Sequence, residues 1–270
     1  MPELPEVETT RLGLLPRLQG RRLQGLIVRN PHLRWPVPED LAHRLGGKKL
    51  VGLTRRGKYL LFDFGSGTQI VHLGMSGSLR FADPAEACGV HDHIDWEFDD
   101  GTVLRLRDPR RFGAVLWTTH PIQHPLLAKL GPEPLTNLFN AQYLYAQCRT
   151  RSVAIKQLIM DGHVVVGVGN IYASESLFHA GIRPGTPAQK LTRPACARLV
   201  AAIKHVLSAA IAAGGSSLRD YVQTSGELGY FQLQTQVYNR TGQACNTCNT
   251  VIRRLIQGQR ASFYCPRCQR

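Results

Sequence analysis

Lys58-Tyr59-Leu60-Leu61-Phe62-Asp63-Phe64 is followed, after Gly65-Ser66-Gly67, by Thr68-Gln69-Ile70-Val71-His72-Leu73, and this stretch decides the fold. Each half is a run of aliphatic, aromatic and β-branched side chains too short for a helix. The two glycines between the halves supply a tight reversal, so the pair reads as a β-hairpin. The pattern recurs outward: residues 93–98 and 102–106 flank Asp99-Asp100-Gly101, and short runs of this kind extend from Leu23 to Thr118. Many short strands at such spacing predict a β-sandwich. Toward the N-terminus, Val7, Leu14, Leu15 and Leu18 recur at helical spacing, with acids in the first turn and Gly20 as the stop, which predicts one opening helix. Toward the C-terminus, Pro121, Pro125, Pro132 and Pro134 crowd a segment with little regular structure until Leu135. Beyond it, helical spacing marks residues 141–149, 153–160, 171–179 and 194–213, the last closed by Gly214-Gly215. The expected class is α+β: a sandwich domain over 1–120, a linker over 121–134, a helical domain over 135–230 and a small module over 236–270.

The last module is read from its cysteines. Cys245-Asn246-Thr247-Cys248 and Cys265-Pro266-Arg267-Cys268 place two CxxC pairs at the spacing with which four thiolates close a tetrahedral zinc site. Residues 251–256 and 261–264 read as strands turning at Gly258, so each pair forms a knuckle at one end of a β-hairpin. With all four positions filled by protein, one such Zn2+ is structural and leaves no open place for chemistry. Two unrelated cysteine pairs are the alternative, and the fourfold spacing disfavours it. Arg253, Arg254, Arg260, Arg267 and Arg270 stud the hairpin, so it presents cations to phosphates, as a zinc ribbon of a transcription or ribosomal protein also could.

Across 270 residues, 33 Lys and Arg against 19 Asp and Glu leave a formal charge of +14, which favours a polyanionic partner over a merely soluble surface. No continuous apolar stretch stands out as a membrane span, and Glu3, Glu6 and Glu8 sit where a signal peptide is basic and then apolar. A soluble cytoplasmic protein is therefore expected. Seven cysteines, three of them scattered as Cys88, Cys148 and Cys196, do not form a disulfide framework.

The opening Pro2-Glu3-Leu4-Pro5-Glu6-Val7-Glu8 is compatible with ordinary helix-start chemistry. If Met1 is removed, however, Pro2 becomes a secondary amine with a pKa near ~8, partly unprotonated at neutral pH and able to attack a sugar carbon. This opening resembles that of the bacterial formamidopyrimidine-DNA glycosylase family. Further similar stretches are Arg55-Arg56-Gly57-Lys58-Tyr59-Leu60, His72-Leu73-Gly74-Met75-Ser76-Gly77, Asp108-Pro109-Arg110-Arg111-Phe112-Gly113 and Val166-Gly167-Val168-Gly169-Asn170-Ile171-Tyr172-Ala173. Arg260-Ala261-Ser262-Phe263-Tyr264-Cys265 completes a resemblance that covers nearly the whole chain.

The resemblance implies a catalytic β-sandwich, a helix-two-turn-helix DNA-binding domain and a zinc finger. It also implies a monomer that acts on damaged double-stranded DNA, removes an oxidised purine such as 8-oxoguanine opposite cytosine, and cuts the sugar by β,δ-elimination. By it, Pro2 is the nucleophile, Glu3 the acid/base carboxylate with Glu6 in support, and Lys58 and Arg260 the proton donors of the two eliminations. Met75, Arg110 and Phe112 fill the gap left by the flipped nucleotide. His91, Arg151, Lys156, Asn170 and Tyr172 join the DNA surface, and residues 216–230 form a mobile loop over the lesion. Gly169 and Asn170 also open a helix, where backbone amides can bind a phosphate. His91-Asp92-His93 alone does not make a metal site. Two rivals are the sister enzyme endonuclease VIII, which prefers oxidised pyrimidines, and a zinc-finger DNA-binding protein without catalysis. Leu4, Met75 and residues 110–112 speak against the first, and intact Pro2, Glu3 and Lys58 against the second.

Overall fold

The computed structural model describes residues 2–215 and 235–270, which divide into two compact units. The first holds residues 2–128 with 213–215, and the second holds residues 129–212 with 235–270.

In the first unit, helix α1 (Leu4–Leu18) precedes β1 (Leu23–Val28), the short helix α2 (Leu41–Leu45) and seven more strands. These are β2 (Gly52–Arg56), β3 (Tyr59–Asp63), β4 (Thr68–His72), β5 (Ser78–Ala82), β6 (Asp92–Phe98), β7 (Val103–Arg107) and β8 (Ala114–Thr118). They form two four-stranded antiparallel sheets, ordered β1-β6-β7-β5 and β2-β3-β4-β8. Both sheets feed one core: Leu60, Phe62 and Val71 come from one, Ile94, Trp96, Phe98, Leu104 and Leu106 from the other, and Val7, Leu14 and Leu18 from α1. Each such buried side chain contributes roughly 1.5–3 kcal/mol of transfer free energy. Trp96 also donates its indole N–H to Gln69 Oε1 across the core at 3.1 Å, so the only polar edge of the largest core side chain is satisfied.

The sandwich expected from the sequence is present, with the deciding hairpin paired from Tyr59↔His72 to Asp63↔Thr68. Lys58 departs from its expected place in a strand. Arg56 pairs with Tyr59, which leaves Gly57 and Lys58 as a two-residue turn, and Gly57 takes the positive φ of 58° that such a turn requires. Strands β1 and β2 were harder to read, because Gly25 and the polar Thr54-Arg55-Arg56 interrupt their apolar alternation.

The second unit contains α3 (Ala141–Arg149), α4 (Ile155–Met160), α5 (Asn170–Ala180), α6 (Arg193–Ala212) and the hairpin of β9 (Arg253–Gln257) with β10 (Arg260–Tyr264). Helix α5 is capped by Gly169 at its start and by Gly181 at its end, whose φ of 70° is the left-handed C-terminal stop. Helix α6 corrects the sequence reading: 20 residues at a mean hydropathy of 1.5 make it long and apolar enough to cross a bilayer. Its apolar stripe, including Leu199, Ile203, Val206 and Leu207, is instead buried where α6 packs on α3 and α5, as in a core helix. Residues 216–230, expected to cover the lesion, lie outside the described residues.

Candidate functional site

Pro2 is buried directly ahead of α1, whose N-cap is Glu3. Glu3 and Glu6 form a capping box in which the Glu6 carboxylate accepts the Glu3 N–H at 2.8 Å. Both are almost fully buried, so the box fixes the backbone next to Pro2 as well as closing the helix end. The helix-start reading of this segment is thus present in the structure, and it sets the backbone directly behind Pro2.

A charged chain joins α1 to the Lys58 turn. Glu8 accepts from Arg11 and, at 2.9 Å, from Arg55, and Arg55 Nη1 donates to the Gly57 carbonyl at 2.9 Å. Burial pushes the Glu8 carboxyl up, but the hydrogen bonds from Arg11 and Arg55 outweigh it and hold it below the usual carboxylate range. Spacing did not single out this Glu8–Arg55 link, although both residues fall in the quoted motifs.

His72 lies beside this turn. Burial, reinforced by the charges of Lys58 and Arg34, brings its pKa down to about 4, and its neutral Nδ1 accepts the Gly74 N–H at 3.1 Å. The unfolded chain takes up a proton below about pH 6.5 while the fold resists it. Stability is therefore complete above pH 6.5 and is lost as pH falls toward 4, by on the order of 2 kcal/mol for this partly exposed group. Urea melts at pH 7 and pH 5 should show that loss in the parent and most of it absent in His72→Asn.

Beyond His72, Met75 and Phe112 expose 39% and 41% of their surface, and the Arg110 guanidinium sits 4.7 Å from the Phe112 ring centre. The two loops touch at Gly74, where a Cβ would lie 2.4 Å from the Phe112 carbonyl carbon, so only glycine fits. Met75, Arg110 and Phe112 are thereby gathered on one side of the first unit. His91 is half-buried, whereas His93 is buried with Nε2 at 2.9 Å from the Asp108 carbonyl.

In the second unit the structure corrects two expectations. Lys156 is only 1% exposed, and its ammonium donates to Asn170 Oδ1 at 2.6 Å, Ser262 Oγ at 2.8 Å and the Ala261 carbonyl at 2.9 Å. All three donors of the ammonium have protein acceptors, so Lys156 ties Asn170 to the hairpin beneath the surface. Tyr172 is fully buried and is not at the protein surface. Asn170 stands half-exposed at the start of α5, with its oxygen fixed by Lys156 and its amide NH2 as the remaining donor. Arg151 is half-buried and bonded to Gln147, and Arg260 is exposed at the start of β10. Spacing also gave no sign of Glu175. Its buried carboxylate accepts the N–H groups of Gln236, Val237 and Tyr238 at 2.8, 3.1 and 2.8 Å and fixes the turn leading into the cysteine module on α5.

The Sγ atoms of Cys245, Cys248, Cys265 and Cys268 all lie within 4.8 Å of one another, with Cys245–Cys268 at 3.9 Å and Cys248–Cys265 at 3.4 Å. A tetrahedron with Zn–S bonds of about 2.3 Å has edges of about 3.8 Å. The four-thiolate set fits one structural zinc.

The model of the formamidopyrimidine-DNA glycosylase N-terminal domain matches residues 1–115, the corresponding H2TH domain residues 130–222, and a zinc finger found in FPG and IleRS residues 242–270. The chain belongs to the formamidopyrimidine-DNA glycosylase family. It is 72% identical to the formamidopyrimidine-DNA glycosylase of Thiobacillus denitrificans and 53% identical to that of Pseudomonas aeruginosa, each over the whole of both chains. Among solved structures of this family, the MutM (Fpg) protein of Thermus thermophilus matches at 36% identity and a TM-score of 0.90, over 99% of this chain and 98% of the other. The Lactococcus lactis FPG mutant G226P bound to Fapy-dG DNA matches at 34% identity and a TM-score of 0.92 over all of both chains. Formamidopyrimidine-DNA glycosylase membership makes the chain a DNA glycosylase of base excision repair, with a structural zinc in its finger.

Proposed function

We propose that this glycosylase is bifunctional: it releases oxidised purines, 8-oxoguanine opposite cytosine and formamidopyrimidines, and then cleaves the abasic strand. The observation that carries the reading is the capping box beside Pro2, with α1 tied through Glu8 and Arg55 to the turn that bears Lys58. Once Met1 is removed, the Pro2 nitrogen attacks the anomeric carbon as the base departs. A secondary amine gives an iminium with no N–H to lose, so the cation persists and draws electrons from the sugar for β- and then δ-elimination. Glu3 moves protons at the opening sugar. Lys58 and Arg260 assist the successive eliminations and place positive charge at the scissile phosphates.

DNA is held by His91, Arg110, Arg151 and the Asn170 amide, the last at an α5 N-terminus whose backbone N–H groups favour a phosphate. Met75 and Phe112 occupy the space of the extruded nucleotide, and Arg110 hydrogen-bonds the orphaned cytosine. The functional divisions are a catalytic domain over 1–120, a linker over 121–134, a DNA-binding domain over 135–230 and a finger over 236–270. We assign the enzyme to the bacterial cytoplasm as a monomer on nucleoid DNA.

Borohydride trapping tests this reading, using untagged protein on duplexes with 8-oxoguanine opposite cytosine, with thymine glycol, and without damage. A covalent adduct on the 8-oxoguanine strand that maps to Pro2 is expected. Preferential trapping on thymine glycol would move the chain to the pyrimidine-specific sister activity, and binding with no adduct would remove the lyase step.

A further inference from the structure

Asp108, absent from the residues so far given a role, is fully buried at the meeting point of the loops that carry Met75, His91, Arg110 and Phe112. Its Oδ1 accepts from Ser76 Oγ at 2.9 Å and its Oδ2 from the Gly113 N–H at 2.8 Å. Ser76 Oγ in turn accepts the Arg110 N–H at 3.2 Å. The Asp108 backbone completes the set: its N–H donates to the His91 carbonyl at 3.0 Å, and its carbonyl accepts the Arg111 N–H at 3.1 Å.

One carboxylate thus holds both ends of the 109–113 loop and, through Ser76, the residue next to Met75. The loop needs such support, because Arg111 stands at a positive φ of 55°, a conformation that costs a non-glycine residue about 1 kcal/mol or more. That backbone places Arg110 and Phe112 on the same side, ring against guanidinium. Gly113 leaves no room for adjustment: a Cβ there would lie 2.8 Å from the His72 carbonyl oxygen and 3.1 Å from Asp108 Oδ2.

We infer that Asp108 and Ser76 are positioning residues that hold the Met75 and Arg110–Phe112 loops in the shape needed to enter a duplex. They act on DNA only through those loops, and the inference rests on the void-filling role proposed for Met75, Arg110 and Phe112. Its consequence is specific. A loosened wedge hurts most where the enzyme must itself unstack the lesion, and least where unpairing is already supplied by the substrate.

The test compares single-turnover release of a formamidopyrimidine lesion opposite cytosine in a fully matched duplex with release of the same lesion flanked on both sides by mismatches. Ser76→Ala should be about tenfold slower on the matched duplex and within about twofold of the parent on the mismatched one. Asp108→Asn can still accept from Gly113 with its oxygen and donate to Ser76 Oγ with its NH2, so it should stay within about threefold of the parent on both. Asp108→Ala should match or exceed the Ser76→Ala defect.

Equal slowing of Ser76→Ala on both substrates, or none on the matched duplex, would overturn the inference, as would an Asp108→Asn defect equal to that of Asp108→Ala. Phe112→Ala separates this from the reading beneath it. If Phe112→Ala also fails to distinguish the two duplexes, the void-filling role itself is wrong; if it distinguishes them and Ser76→Ala does not, only the positioning role falls.

Discussion

Adding one residue ahead of Pro2 is expected to abolish covalent trapping and strand cleavage, at least about a thousandfold, while affinity for damaged duplex stays within about threefold of the parent. The extension turns a secondary amine into an amide, whose nitrogen lone pair is delocalised and no longer nucleophilic. Binding should be spared because the extension alters neither the surplus of cations, +14 over the chain, nor exposed groups such as Arg110 and Arg260. Pro2→Gly gives a finer test. A primary amine still forms an imine, but that imine loses its N–H proton and its charge, so elimination should slow more than attachment, and the covalent intermediate before reduction should outlast that of the parent. Single-turnover gels read both steps, and fluorescence anisotropy reads affinity. An extended protein that loses DNA affinity as completely as activity would count against Pro2 as the nucleophile.

What could be read in the sequence was what depends on local spacing. The 58–73 hairpin has its strands and its glycine turn within one short segment, and the zinc ligands announce themselves as two identical pairs. The helices 141–149 and 171–179 follow from apolar periodicity and match α3 and α5 to within a residue. What could not be read was burial of polar groups by partners distant in the chain. A lysine at position 156 looks like a surface cation until Ser262, 106 residues away, is found against its ammonium. Asp108, beside a proline and two arginines, looks like a turn residue, and its hub exists only because the strands bring Ser76 and His93 to it. Tyr172 fell within a resemblance motif assigned to the DNA surface, yet the helix that begins at Asn170 turns it into the core. Resemblance marks which residues matter, but not whether they touch the substrate or hold something that does.

Removing the zinc should have the second large effect: loss of the finger's fold and a fall in DNA affinity on the order of a hundredfold, with a shallower salt dependence because Arg260 and the neighbouring finger arginines are no longer held together by one fold. The finger's own core is small, with Val237, Ile252 and Phe263 packed around Cys245 and Cys265. So few apolar side chains do not offset the entropy of ordering the segment, whereas a four-thiolate zinc site contributes roughly 10–16 kcal/mol. The damage should also spread along a defined path. When the hairpin leaves, Lys156 loses Ser262 Oγ and the Ala261 carbonyl, two of its three acceptors among the described residues, and the ammonium that fixes Asn170 at the start of α5 becomes a poorly compensated charge. Titration with a strong chelator, with zinc release followed by a metallochromic dye and affinity by anisotropy, checks this. One zinc per chain should be released in step with the loss of binding, and added zinc should restore both. Lys156→Met should keep its zinc yet lose part of the affinity, because its lesion lies at the seam rather than in the metal site. Full affinity after complete zinc release would mean that the hairpin and its arginines hold their places without the metal.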